Sequence, residues 1–312
     1  MKLAIVGFGK MAEQHLAVFR ALGVEVVASA NRSEAGRARA KAAGIPKTVS
    51  EIEALFDSSP DAVLCSASIH ENFAAARRVL PWGVPTLLEK PPGICSEELM
   101  ELIALTARHG TLVMLGLNRL HYSVLDRALA DAGGIGSLTS VHVEWSEDPR
   151  HLERRGFSPA EILRRTASNG IHGLSLLTYL GGAIPEPHIV VEKLGEGYRF
   201  QTSLHGRSER GLLCTFRSTW DAPDPWSLSF TAPGRSYRFS PLETCSRRGP
   251  AAPEIEPAEY DLRFKPGLYR QAQCFIDAVA GGRVPEPFTL PALVPAMALA
   301  DRLSRAIEAR AL

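Results

Sequence analysis

The chain opens on a strand, a glycine turn and a helix, with no residues to spare between them. Leu3-Ala4-Ile5-Val6 is an apolar run, Gly7-Phe8-Gly9-Lys10-Met11-Ala12 follows at once, and Leu16, Phe19 and Leu22 then recur at helical spacing. A buried strand that turns straight into a helix needs a parallel neighbour, and parallel sheets are covered by helices on both faces. In such a turn the first glycine permits the bend and the second lets backbone approach a pyrophosphate. The third position needs a small side chain where helix meets strand, and Ala12 supplies one. Gly7, Phe8, Gly9, Lys10 and Met11 are therefore candidate cofactor contacts. The alternative is a plain strand-to-helix turn; the strand before it and the helix after it favour the nucleotide.

Up to Asn118 short apolar strands alternate with amphipathic helices. Lys2 to Val6, Val24 to Ser29, Ala62 to Ser66, Thr86 to Glu89 and Leu112 to Gly116 read as strands, with helices such as Glu71 to Leu80 and Glu97 to His109 between them. Beyond Asn118 the period changes. Leu138 to Trp145, Ile189 to Leu194, Tyr198 to His205, Gly211 to Trp220 and Ser227 to Ala232 alternate as strands of a mostly antiparallel sheet do. Stretches rich in Pro and Gly, Ala222 to Pro225 and Ser246 to Pro257, read as loops, and helices over Lys265 to Ala280 and Ala292 to Ala309 close the chain. The expectation is an α/β protein: a doubly wound parallel sheet over residues 1–118, then an α+β domain with an open, mostly antiparallel sheet over residues 119–312.

Composition narrows the partners. The formal net charge of the 312 residues is +1, and neither half carries a long single-sign run, so neither nucleic acid nor a membrane surface is expected. A small-molecule substrate fits better. The five cysteines are widely spaced and include no CxxC pair, which argues against a disulfide framework and against a zinc site, so no metal is expected. No apolar stretch is long enough to span a bilayer, and the first strand begins at Lys2, leaving no room for a cleavable signal; a cytoplasmic location is the expectation.

The end of the second strand speaks to the cofactor. Nucleotide folds of this kind place an Asp or Glu about 20 residues after the glycines to accept hydrogen bonds from the adenosine ribose. Asn31-Arg32-Ser33 stands there instead. These side chains offer donors, and a guanidinium pairs well with a 2′-phosphate that a carboxylate would repel. NADP is favoured, with NAD as the alternative if Asn31 and Ser33 are ordinary turn residues and Arg32 points into water.

Three further segments, with the opening motif, carry a resemblance. Leu87-Leu88-Glu89-Lys90-Pro91, Gly116-Leu117-Asn118-Arg119 and Ser168-Asn169-Gly170-Ile171-His172 together resemble signatures of the Gfo/Idh/MocA oxidoreductases, in the same order along the whole chain. The resemblance implies a Rossmann domain, a C-terminal open-sheet domain and hydride transfer in the crevice between them, on sugars, polyols, sugar nucleotides or related carbonyl compounds. It implies Lys90 and His172 as catalytic residues, with Ser66, His70, Glu89 and Asn118 near the cofactor. One departure stands out: the family's usual Asp, four residues before the histidine, is Ser168 here. Tyr122, Glu147, Asp148 or a water are candidates to compensate.

The chemistry of these residue types fits that implication. Moving hydride to or from a secondary alcohol carbon requires a proton to move at the oxygen, and histidine serves in either direction near neutral pH. A lysine ammonium at the carboxyl edge of a parallel strand stabilises charge on the reacting oxygen. Arg119, Tyr122, Ser168 and Asn169 are candidate substrate contacts. Arg154 and Arg155 sit in an arginine-rich stretch that suits an anionic substrate or, alternatively, a salt-bridged solvated face. Two rival functions keep the same fold: a redox-neutral enzyme that oxidises its substrate transiently with a retained nucleotide, and a non-catalytic NADP-binding sensor. An uncovered apolar face on the second sheet would make a homodimer or homotetramer.

Overall fold

The computed structural model describes residues 1–154, 156–220, 226–250 and 254–311. Arg155 and the loop expected over Ala222 to Pro225 lie outside the described residues.

Two compact units are formed. The first comprises Met1–His121 and Glu259–Leu293, the second Tyr122–Ala258 and Val294–Leu312. In the first, β1 (Lys2–Val6), α1 (Lys10–Ala21), β2 (Glu25–Ala30), α2 (Glu34–Ala42), β3 (Lys47–Val49), β4 (Ala62–Cys65), α3 (Asn72–Val79), β5 (Thr86–Glu89), α4 (Ser96–His109) and β6 (Val113–Gly116) alternate along the chain. Their strands form one sheet in the order β3-β2-β1-β4-β5-β6, parallel at every pairing. The winding reverses between β1 and β4, so the carboxyl end of β1 is the topological switch point at which such sheets bind ligands.

In the second unit α5 (Ser123–Ala132), β7 (Ser140–Glu144), α6 (Pro149–Arg154) and α7 (Pro159–Leu163) precede a single π-helical turn at Thr166–Gly170, which runs into α8 (Ile171–Gly181). Strands β8 (His188–Lys193), β9 (Phe200–Arg207), β10 (Leu213–Thr219), β11 (Ser227–Ala232), β12 (Arg235–Phe239) and β13 (Ser246–Arg248) complete a seven-stranded sheet in the order β13-β12-β11-β7-β10-β9-β8. All its pairings are antiparallel except β7 with β10. Alternation sends Val141, Val143, Phe216, Leu228 and Phe230 inward, and α8 packs on the β7 and β10 part of that face. The outer face differs from the apolar surface expected. Apart from Val190 and Leu213, it carries hydroxyl, imidazole and charged side chains such as Ser140, His142, Thr215, Arg217, His205 and Arg238.

The chain then returns to the first unit with α9 (Glu259–Arg263) and α10 (Leu268–Gly281) before α11 (Val294–Ala311) rejoins the second. A single division after residue 118 therefore differs from the observed units. The reason is packing. Leu268, Ala272 and Phe275 of α10 are fully buried in the same core as Leu16 and Phe19 of α1, and the Phe19 and Phe275 rings meet edge to face at 6.5 Å.

Candidate functional site

The glycine turn is closed from two sides. Gly7 has φ +79°, and a Cβ there would lie 2.6 Å from the Ser66 carbonyl at the end of β4, so only glycine fits. Asn31, buried at the end of β2, accepts a 2.5 Å hydrogen bond from the Phe8 N–H and donates to the Ser29 hydroxyl. Its side chain is thereby used to hold the turn. Gly9 differs: a Cβ there would meet nothing within 4 Å, and no side chain caps the helix that begins at Lys10. Open space before the uncapped start of a 12-residue helix suits a pyrophosphate, whose charge the first-turn N–H groups and the helix dipole favour. The residues present therefore fit a dinucleotide.

Around the β2–α2 turn the surface is cationic. Arg32 is exposed and pairs with Glu71 at 2.8 Å, Arg37 donates to the carbonyls of Asn31 and Arg32, and Arg39 donates to the carbonyl of Phe8. Ser33 caps α2 by accepting from Gly36 N. Arg37 and Arg39 were not singled out from the sequence, although both fall in the helix following the candidate ribose position.

Lys90 is half-buried immediately after β5, and its backbone is held from several directions. Glu89, itself buried, accepts from the Lys90 N–H at 3.2 Å and lies 2.7 Å from His15 Nε2. Asn72 donates to the carbonyls of both Glu89 and Pro91, at 2.6 and 2.8 Å. Asn118, next to the end of β6, donates to the Pro266 carbonyl, so this side chain ties the strand end to the α9–α10 connection. His70 is exposed on the β4–α3 turn, and Arg119 is half-buried. Neither His15 nor Asn72 was expected; their partners are far away in sequence, and nothing local marks them.

In the second unit His172 begins α8 and is buried, its ring centroid 6.1 Å from that of Trp145. Trp145 stacks on Trp226 at 3.9 Å and donates through Nε1 to Glu147 at 3.2 Å. The Glu147 carboxylate also accepts from Asn169 at 2.6 Å and from Arg165. Thus the Glu147 carboxylate, three residues beyond β7, is held by Asn169 and Arg165 in the segment that leads into His172. Ser168 lies in the π turn, and the Ser168 and Ser175 hydroxyls donate to the carbonyls of Arg165 and His172.

The arginine stretch resolves into local pairs. Arg150 bonds Asp148, Arg164 bonds Glu308 and Arg165 bonds Glu147, while Arg154 is exposed and donates to the Arg150 carbonyl. The Tyr122 hydroxyl donates to Glu243 at 3.2 Å. Among the described residues no group of three or more His, Cys, Asp or Glu side chains is arranged to hold a metal ion, and no helix is long and apolar enough to cross a membrane.

The Gfo/Idh/MocA oxidoreductases, with their NAD-binding Rossmann fold, match residues 1–117. Over 314 residues the chain is 31% identical to inositol 2-dehydrogenase 1 of Saccharopolyspora erythraea, spanning 92% of this chain and 88% of that protein. The chain belongs to the Gfo/Idh/MocA family. It is also 25% identical over 316 residues to the rhizopine catabolism protein MocA of Rhizobium meliloti, covering 96% and 93% of the two chains. Its fold is that of UDP-N-acetylglucosamine 3-dehydrogenase GnnA from Acidithiobacillus ferrooxidans, with a TM-score of 0.81 at 18% identity, covering 100% of this chain and 99% of that one. In the first unit of this Gfo/Idh/MocA oxidoreductase the glycine turn and the β5 terminus are both braced by buried side-chain hydrogen bonds.

Proposed function

We propose that this oxidoreductase interconverts a secondary alcohol and a carbonyl on a neutral polyhydroxylated substrate such as a polyol or sugar, with Lys90 and His172 as catalytic residues and NADP preferred over NAD. The carrying observation is the bracing of Lys90. Glu89, itself held by His15, accepts from the Lys90 N–H, and Asn72 holds the carbonyls on either side, so Lys90 leaves the carboxyl edge of β5 from a set backbone position suited to an ammonium that donates to a developing oxyanion. Bound nicotinamide supplies or accepts the hydride. His172, beside the Trp145 ring, takes the proton of the alcohol or returns it to the alkoxide.

Substrate neutrality is supported by the arginines of residues 150–165, since Arg150, Arg164 and Arg165 are already balanced by acidic partners. The inositol dehydrogenase among the relatives supports the polyhydroxylated class. Preference for NADP is supported by the exposed Arg32 and the absence of an acidic residue at Asn31-Arg32-Ser33.

The test is a screen of polyols, sugars and sugar nucleotides by nicotinamide absorbance, in both directions and with both nucleotides. Turnover that Lys90→Met and His172→Asn each lower by about 10²-fold or more, with nucleotide binding retained, is the expected result. Retained nucleotide with no net absorbance change while substrate is consumed would overturn the dehydrogenase reading in favour of redox-neutral chemistry.

A further inference from the structure

The Arg32–Glu71 pair joins residues that follow β2 and β4, the two strands flanking β1. Both turns lie at the carboxyl edge of the sheet, so the 2.8 Å contact spans the end of β1 above the glycine turn. Its side chains are 85% and 45% exposed, so solvent reaches both and neither is fixed by packing. Glu71 precedes α3 without capping it by its side chain, and its backbone is held independently by Ser68 and Ala75. The carboxylate can thus leave Arg32 without breaking a hydrogen bond of the helix.

From this geometry we propose that Glu71 is a specificity-determining residue for the cofactor: it competes with a 2′-phosphate for Arg32 and so holds down the preference for NADP. A 2′-phosphate recruits the guanidinium by charge-assisted hydrogen bonds, but only after Arg32 gives up Glu71, and the carboxylate then stands near a second anion. An unphosphorylated ribose meets neither cost, and its hydroxyls can donate to the same carboxylate. The acidic group that nucleotide folds place after the second strand is, in this chain, offered from the β4 side. The inference rests on the proposed role of Arg32.

The test is fluorescence titration of NADPH and NADH into the wild type, Glu71→Gln, Arg32→Ala and the double variant. An exposed pair of this kind is worth up to about fivefold in affinity. Glu71→Gln is expected to tighten NADPH by about that factor without tightening NADH, and most of the gain disappears in the Arg32→Ala background. If Glu71→Gln leaves the ratio of the two affinities unchanged while Arg32→Ala lowers it, the role of Glu71 is overturned and that of Arg32 stands. If Arg32→Ala leaves the ratio unchanged, the reading of Arg32 fails and this inference fails with it.

Discussion

His15 Nε2 and Glu89 Oε1 lie 2.7 Å apart inside the first unit, joining the second turn of α1 to the last residue of β5. His15 is fully buried, and a Cβ on Gly116 would come within 3.0 Å of the same carboxyl oxygen, so β6 closes the other side. The helix that follows the glycine turn and the strand that ends at Lys90 are therefore joined by a buried polar contact.

Removing the imidazole leaves a buried carboxyl oxygen short of a partner, which costs about 1–3 kcal/mol. His15→Ala is expected to lower the urea midpoint accordingly and to reduce kcat, because Glu89 no longer has a fixed position from which to hold the Lys90 N–H. A variant with a lowered midpoint but undiminished kcat would show that the contact supports only the fold.

Lys90→Met keeps the length of the side chain and removes its donor. Loss of one preorganised donor to a developing oxyanion typically costs about 10² to 10³ in rate. That loss should appear in kcat, with nucleotide affinity measured by titration close to that of the wild type. A main effect on nucleotide affinity would instead make Lys90 a binding residue.

The parts of this arrangement that could be read from the sequence are those whose cause is local. The strand, glycine turn and helix at the start follow from contiguous residues, and β1, β5 and β11 fall where the apolar pattern puts them. The three-residue β3 and the strands β12 and β13 carry too short or too polar a signal to stand out. Asn31 reads as a ribose ligand because its use by Phe8 is a contact across 23 residues. Glu147 is one of several acids near His172 until Arg165 and Asn169 are seen to converge on it. The return of α10 to the first unit is likewise a matter of which core its apolar face finds.

Acid should destabilise the first unit through His121. Its imidazole is buried against the Phe288 ring at 4.0 Å, and burial, with the nearby Arg270 charge, pushes its pKa from 6.5 down to about 3. The unfolded chain then binds the proton more readily than the folded one, so stability is full above about pH 6.5 and falls as pH drops towards 3. Between pH 7 and pH 5 the loss from this group is about 2 kcal/mol. Denaturant midpoints of His121→Phe, which keeps a ring against Phe288, should fall less over that interval than those of the wild type. Parallel curves would assign the acid sensitivity elsewhere.

Gly173, the residue after His172, packs tightly against the sheet. An added Cβ would lie 2.8 Å from Trp145 Cε3, 3.0 Å from Phe216 and 3.1 Å from Val143. Phe216 and Val143 come from neighbouring strands, and the Trp145 ring is itself fixed by Trp226 and Glu147, so the helix must move rather than the sheet. Overpacking of this kind costs about 1–3 kcal/mol. Gly173→Ala is therefore expected to lower stability by that amount and to lower kcat through the displaced His172, while NADPH binding to the first unit stays near that of the wild type. Unchanged turnover in a destabilised variant would mean that the position of His172 on α8 does not govern the rate.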